Sequence, residues 1–195
     1  MKRTKAVVIG VGIFVLIIVI LGLLFYYSYT QIHITLNDAN LHSIDFVSLS
    51  WSTLLKLGLN ALTGNWLGIA FDLVDGINLN LLFGITNNGL LPVYIPNLSY
   101  DLSLNGIKVG KGYATIDATI YPGHTQEISA LQNLKKSSFS PAISSIVSND
   151  GIIELKVSGT AFFKLFGQSI PIPFESTKQI SIIDEIKSRL NNELN

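Results

Sequence analysis

From Ile77 to Ile85 every odd position is apolar, and the even positions are Asn78, Asn80, Leu82 and Gly84. A period of two held over nine residues describes a strand with one dry face, because successive side chains point to opposite sides of a sheet. A helix would scatter these side chains around its whole circumference. The chain is thereby committed to a sheet, and one strand needs partners to be stable. Asn87-Asn88-Gly89 ends the run with residues that tolerate positive φ. A second alternation follows, with Leu98, Tyr100, Leu102 and Leu104 set against Ser99, Asp101 and Ser103. Asn105-Gly106 comes next, and that pair suits the two positive-φ positions of a type I′ hairpin. Ile107 and Val109 begin the return strand.

Further strands are spaced along the chain. Gln31 to Leu36 and Leu41 to Val47 read as two short strands separated by Asn37-Asp38. Tyr113 to Tyr121 alternates again, Tyr121-Pro122-Gly123 forms a turn, and His124 to Leu131 follows as a shorter strand. Ser140-Pro141 reads as an N-cap with proline at the first helical position, and Ile143, Ile146 and Val147 make that helix's apolar stripe. Asn149-Asp150-Gly151 stops it. Alternation returns from Ile153 to Leu165, and Gly167-Gln168 turns the chain into Ile170, Ile172 and Phe174. Pro171 and Pro173 lack the N–H a ladder requires, so this last strand belongs at an edge. Residues 183–195 read as a terminal helix, with Ser181 as cap and Ile183, Ile186, Leu190 and Leu194 as its stripe.

Residues 50–76 break the β pattern. Trp51, Leu54, Leu55, Leu62, Trp66, Leu67 and Phe71 recur at helical spacing, and Gly64-Asn65 divides the segment into two short helices. Two readings stand side by side. The segment is a helical insertion packed on a sheet, or it presents Trp51, Leu55, Trp66, Leu67 and Phe71 to a membrane or partner.

The central segment NNGLLPVYIPNLSYDLSLNGIKVGKG resembles the late-embryogenesis-abundant type 2 family, also called the WHy (water stress and hypersensitive response) domain. The family pattern runs from an Asn-Pro-Asn turn through a Pro-flanked strand and a Leu-Tyr-x-Leu strand to Asn-Gly and a Gly-rich return. Leu98, Tyr100, Leu102, Asn105, Gly106 and Gly110 fit it; Asn87-Asn88-Gly89 stands where Asn-Pro-Asn is usual. The resemblance is specific over some forty residues and extends across 31–182. It implies a mainly β fold, a seven-stranded immunoglobulin/fibronectin-III-like β-sandwich with short helical insertions. It also implies protection under water stress, response to membrane or cell-wall challenge, or lipid binding between sheets, with no shared catalytic site.

Ala6 to Phe25 carries no charge and is rich in Val, Ile and Leu. Twenty helical residues span about 30 Å, the thickness of a bilayer's hydrocarbon core. Residues 1–5 hold Lys2, Arg3 and Lys5, and no basic residue follows until Lys56. The positive-inside bias therefore places the N-terminus in the cytoplasm and the rest outside, with a transmembrane signal-anchor over 6–27 and Tyr26, Tyr27 and Tyr29 at the outer headgroups. A cleaved signal peptide is the rival, but it calls for a shorter apolar core and a small-x-small site. A pilin-type leader cut before the apolar helix is another, and would make the chain a subunit of a surface filament or membrane-protein complex.

Formal charge sums to zero, but beyond the first five residues ten basic residues face thirteen acidic ones. Nucleic acid, which needs a basic face, is not an expected partner. The expected partners are the bilayer through 6–27 and a lipid or protein ligand, with oligomeric state left open. No cysteine is present, and no phosphate loop, zinc motif or nucleophile elbow appears, so no enzyme and no cofactor is expected. His33 and His42 read as surface strand histidines rather than metal ligands. His124 has Glu127 on the opposite strand face. Glu154, Lys156 and Lys164 share a solvated face. Asn97-Leu98-Ser99 is a glycosylation sequon.

Overall fold

The structure, a computed structural model, describes residues 2–46, 71–165 and 168–181. The terminal-helix segment 183–195, Trp51, Leu55, Trp66, Leu67 and most of the 50–76 insertion lie outside them. Helix α1 (Lys2–Thr30) leads into β1 (Ile32–Phe46). There follow β2 (Val74–Asn87), β3 (Val93–Leu104), β4 (Ile107–Ile120) and β5 (His124–Lys135). A helical connection of α2 (Lys136–Phe139), a 3-10 turn (Ser140–Ala142) and α3 (Ile143–Ser148) leads to β6 (Ile152–Leu165) and β7 (Gln168–Ser181).

The seven strands form two sheets, ordered β1-β2-β5 and β4-β3-β6-β7, and every neighbouring pair is antiparallel. The alternation of β2 is that of its burial: Ile77, Leu79, Leu81, Phe83 and Ile85 are all buried. Ile95, Leu98, Tyr100, Leu102 and Leu104 of β3 and Leu155, Val157 and Ala161 of β6 enter the same core from the second sheet. Phe83 marks where the sheets meet, its ring 5.2 Å from that of Tyr100 and 6.1 Å from that of Phe174.

One cross-strand row explains two glycines. Gly112, Tyr100, Gly159 and Phe174 are successive partners across β4, β3, β6 and β7. A Cβ at Gly112 would fall within the Tyr100 ring, and one at Gly159 would overlap the Ser99 carbonyl oxygen. The Tyr100 ring thus occupies the space that Gly112 vacates, and the β3 backbone the space that Gly159 vacates. Asn105 and Gly106 have φ of 49° and 79°, as the hairpin requires.

Several boundaries differ from expectation. β1 is one strand rather than two: Leu36 pairs with Phe83 and Asp38 with Leu82, leaving Asn37 as the extra residue of a bulge. Its polar side chain mimics a turn signal, but it accepts from Thr35 Oγ1 and donates to Glu127 Oε1 instead. β4 runs unbroken from Ile107, and β5 extends past Leu131 to Lys135. Ser140 caps nothing, because the chain is already helical from Lys136 and the proline sits in the first turn of the 3-10 segment. Pro171 and Pro173 lie on β7, an edge strand, as their missing N–H groups demand.

The strands give the domain two ends. The near end carries the exit of α1, the β2–β3 connection and the β4–β5 turn. The far end carries the Asn105-Gly106 hairpin, the helical connection, and Phe46 and Phe71, between which the undescribed part of the insertion leaves and returns. Phe71 is itself 1% exposed in the core. It is therefore corrected from a contact residue to an interior one.

Candidate functional site

Asn87 occupies an odd position at the end of β2, on the face that Ile77 to Ile85 make apolar. It is 1% exposed, and a buried carboxamide is tolerable only when its hydrogen-bonding groups are used. Its Nδ2 donates to the carbonyls of Leu91 at 2.8 Å and Ile120 at 2.9 Å. Its Oδ1 accepts the Gly89 N–H at 2.9 Å, and its own carbonyl accepts that of Gly123 at 2.7 Å. One side chain thereby ties the β2–β3 connection to the end of β4. Asn88, exposed, donates its N–H to the Gln31 carbonyl at 3.0 Å, which brings the start of β1 into the same cluster.

The C-terminal end of α1 completes it. Ser28 is buried, and its Oγ accepts the Leu90 N–H at 3.1 Å. Tyr29 donates its hydroxyl hydrogen to the Pro171 carbonyl at 2.9 Å and tilts its ring against Phe163, 5.7 Å between centroids. Phe25, Ser28, Tyr29, Leu91 and Pro92 line a niche of about 40 Å³ between helix and domain. The helix is therefore joined to both sheets. Upstream of this joint its side chains project outward on every side, from Ile9 at 62% exposed to Leu23 at 64%. Within its 22 residues Ile9–Thr30, an 18-residue stretch has a mean hydropathy of 3.0 and no buried residue. A soluble protein's core helix would be covered; this one has the length and composition of a membrane anchor or a signal sequence.

The remaining motif residues serve the fold. Leu98 and Leu102 are fully buried. A Cβ on Gly110 would lie 3.1 Å from the Leu134 side chain, so the missing side chain lets β4 and β5 approach. Asn105 donates its N–H to the Glu154 carbonyl at 2.9 Å, and its Oδ1 accepts the Glu154 N–H at 2.8 Å, which fastens the hairpin to β6. Burial pushes the Tyr100 phenol up to about 12. Asn97 is half-buried on β3, between Thr115 and Phe162 on the neighbouring strands.

No catalytic constellation is assembled among the described residues. No three His, Cys, Asp or Glu side chains there are grouped to hold a metal ion. His33 and His42 are exposed on β1. His124 Nδ1 lies 3.0 Å from the Pro122 carbonyl, while Glu127 accepts from Asn37, so the two are engaged separately. Glu154, Lys156 and Lys164 share the outer parity of β6, and Lys156 pairs with Glu175 at 2.8 Å. At the edges of the sheets, hydrogen bonds from Lys178, Asn40 and the Ala39 N–H hold the Asp38 carboxyl below its usual range. Lys178 Nζ is 2.7 Å from that carboxylate. A bond from Lys108 lowers Asp101 likewise, and Asp117, bonded to the Tyr94 hydroxyl, raises that phenol.

Sequence reasoning named Asn87 as a turn residue and passed over Ser28. The available signal was parity: Asn87 continues the apolar register of Ile77 to Ile85, where a polar residue must be bonded internally.

No family model matches the chain, and no curated protein matches it either. It is similar to a solution structure of the Arabidopsis thaliana protein AT1g01470, with 13% identity, 75% of this chain and 79% of that one covered, and a TM-score of 0.53. It is also similar to a crystal structure of a protein from Archaeoglobus fulgidus (12% identity, 75% and 96% covered, TM-score 0.43). A third likeness is to the solution structure of a candidate late embryogenesis abundant (LEA) protein (15% identity, 74% and 70% covered, TM-score 0.41). At such identities the first match speaks for a shared fold alone. The other two, with TM-scores under 0.5, carry no argument here.

Proposed function

We propose that this chain is a non-enzymatic, membrane-anchored protein with its N-terminus in the cytoplasm. Residues 31–182 then form an extracytoplasmic β-sandwich of the immunoglobulin/fibronectin-III-like kind. Its role is protection at the cell surface under water stress, exercised through a lipid or protein partner. One observation carries the reading: a helix whose long charge-free apolar stretch is uncovered leads directly into a β-domain. Exposed to water, its apolar surface would cost about 25 cal/mol per Å²; within lipid that cost vanishes. The central motif supports the stress-protective part, since it is there that the chain resembles the late-embryogenesis-abundant type 2 family. The filled space around Phe83 favours a ligand held on the outside of the domain over one between the sheets.

The insertion has a place in this scheme. Phe46 and Phe71 flank it at the far end, and β2, at 14 residues, extends about 45 Å from there to the anchor. Trp51, Leu55, Trp66 and Leu67, within this insertion, are proposed as contacts with a membrane or a partner.

Carbonate extraction of membranes carrying the full chain, followed by protease treatment of intact cells, tests the anchor and its direction. The chain is expected to stay in the pellet and to lose its domain to external protease. Release by carbonate would overturn the anchor. Retention with a protected domain would reverse the topology.

A further inference from the structure

Outside α1, five described large apolar side chains are exposed, and two of them, Leu90 at 58% and Tyr121 at 60%, lie on adjoining connections at the near end. The Asn87 hydrogen bonds hold both connections together. Their height relative to the bilayer follows from the joint with α1. The Leu90 N–H is bonded to Ser28, which lies three residues past Phe25, a rise of about 4.5 Å. The headgroup layer on either side of a bilayer's hydrocarbon core is roughly 5–7 Å thick. Leu90 therefore reaches the outer headgroup layer if α1 spans the membrane.

Charge distinguishes this end from the other. Residues 26–37, 86–100 and 118–126, which converge there, contain no Asp, Glu, Lys or Arg. Two charged residues border them at Tyr94: Asp117, bonded to its hydroxyl, and Lys164, 6.0 Å from its ring centre, and a lysine suits a phosphate-bearing surface. At the far end a cleft of about 430 Å³ is lined by Asp45, Asp75, Lys135 and Lys136. Burying charges against lipid is costly unless they are paired. Connections without charge that carry an exposed leucine and an amphipathic tyrosine have the composition of an interfacial surface.

We infer that the near end of the domain rests in the outer headgroup layer of the bilayer that α1 crosses, with Leu90 and Tyr121 as its two inserted side chains. This rests on the anchored reading above and extends it. The domain is then seated on the lipid at three points, the helix and two connections, and its Asn87 cluster is the brace between them. Asn88 and Gly89 keep the β2–β3 connection in place through backbone bonds, so the insertion depth of Leu90 is set by the fold.

The chain has no cysteine, so Leu90→Cys, Tyr121→Cys, Ile17→Cys and Lys135→Cys each give a full-length protein with one nitroxide label. In phosphatidylcholine vesicles, the ratio of collisions with oxygen to collisions with a water-soluble nickel chelate reports depth. Labels at 90 and 121 are expected to show a ratio several-fold above that at 135 and below that at 17. If 90 and 121 match 135 while 17 is deep in lipid, the domain stands clear of the bilayer and the inference fails with the anchor intact. If 17 shows no lipid contact, the anchored reading fails and takes this one with it. Labels at 90 and 121 shielded from both reagents would mean contact with a second copy, which also overturns it.

Discussion

Removing the Asn87 carboxamide leaves the Leu91 and Ile120 carbonyls and the Gly89 N–H without their partner in a site closed to water. Each buried polar group so orphaned costs about 1–3 kcal/mol. Asn87→Ala is expected to lower the free energy of unfolding by roughly 3 kcal/mol, partial relaxation reducing the sum. Denaturant unfolding measures it, and a loss no larger than that of a surface substitution would contradict the bracing role. Asn87→Asp should be no milder, since it keeps the acceptor and sets a carboxylate against two carbonyl oxygens. Residues of this kind were half legible in the sequence. Parity marks Asn87 as inward, but nothing local says that its partners lie four and thirty-three residues further on. The hairpin at Asn105-Gly106 was fully legible because its cause, two consecutive positive φ angles, is contained in the pair itself.

At the scale of elements, the strand edges are where the two sheets are fastened. The Leu36 N–H donates to Ser176 Oγ at 3.0 Å, and Lys178 holds Asp38 across β1 and β7. Lysine lowers the Asp38 carboxyl from its ordinary 3.8. A carboxyl lowered by folding stabilises the fold at every pH above its unfolded value, and that contribution is lost as pH falls through the folded value. The window is therefore below about pH 4, and solvent exposure of the pair keeps the effect small. Lys178→Ala is expected to raise the Asp38 midpoint toward its ordinary value and to shallow the loss of stability in acid. Carboxyl chemical shifts across the titration would show it, and an unmoved midpoint would remove Lys178 as the cause. Alternation located β2, β3 and β6 without error of kind. It divided β1 wrongly, because a bulge and a turn both recruit Asn, and only pairing across to Leu82 and Phe83 separates them. Ser140-Pro141 misled for a similar reason: the dipeptide suits a helix start, but the chain was already turning.

For the whole molecule, the joint at Tyr29 is the feature that fixes domain to helix. Tyr29→Ala removes the bond to Pro171 and the ring contact with Phe163. Spin labels at positions 17 and 135 of the full chain should then give a broader distribution of separations, with the sheet content by circular dichroism unchanged. An unaltered width would mean that Ser28 and the Asn87 cluster suffice. None of this joint was visible in the sequence, since its partners come from α1, β2, β6 and β7 and share no local pattern. The outward apolar helix and the β-domain were each visible; the bonds that join them were not.

If α1 spans a membrane as proposed, its bonds to the domain at Ser28 and Tyr29 make the helix a lever for the rest of the protein. Transmembrane helices lean by about 20° on average and lean differently as bilayer thickness changes. With the far end some 45 Å from the pivot, a swing of about 20° would carry Asn105, Asp150 and the flanks of the tryptophan-bearing segment sideways by up to roughly 15 Å. A drying, thickening membrane would thus be felt as a change of posture at the tip, where any neighbouring molecule would have to meet it.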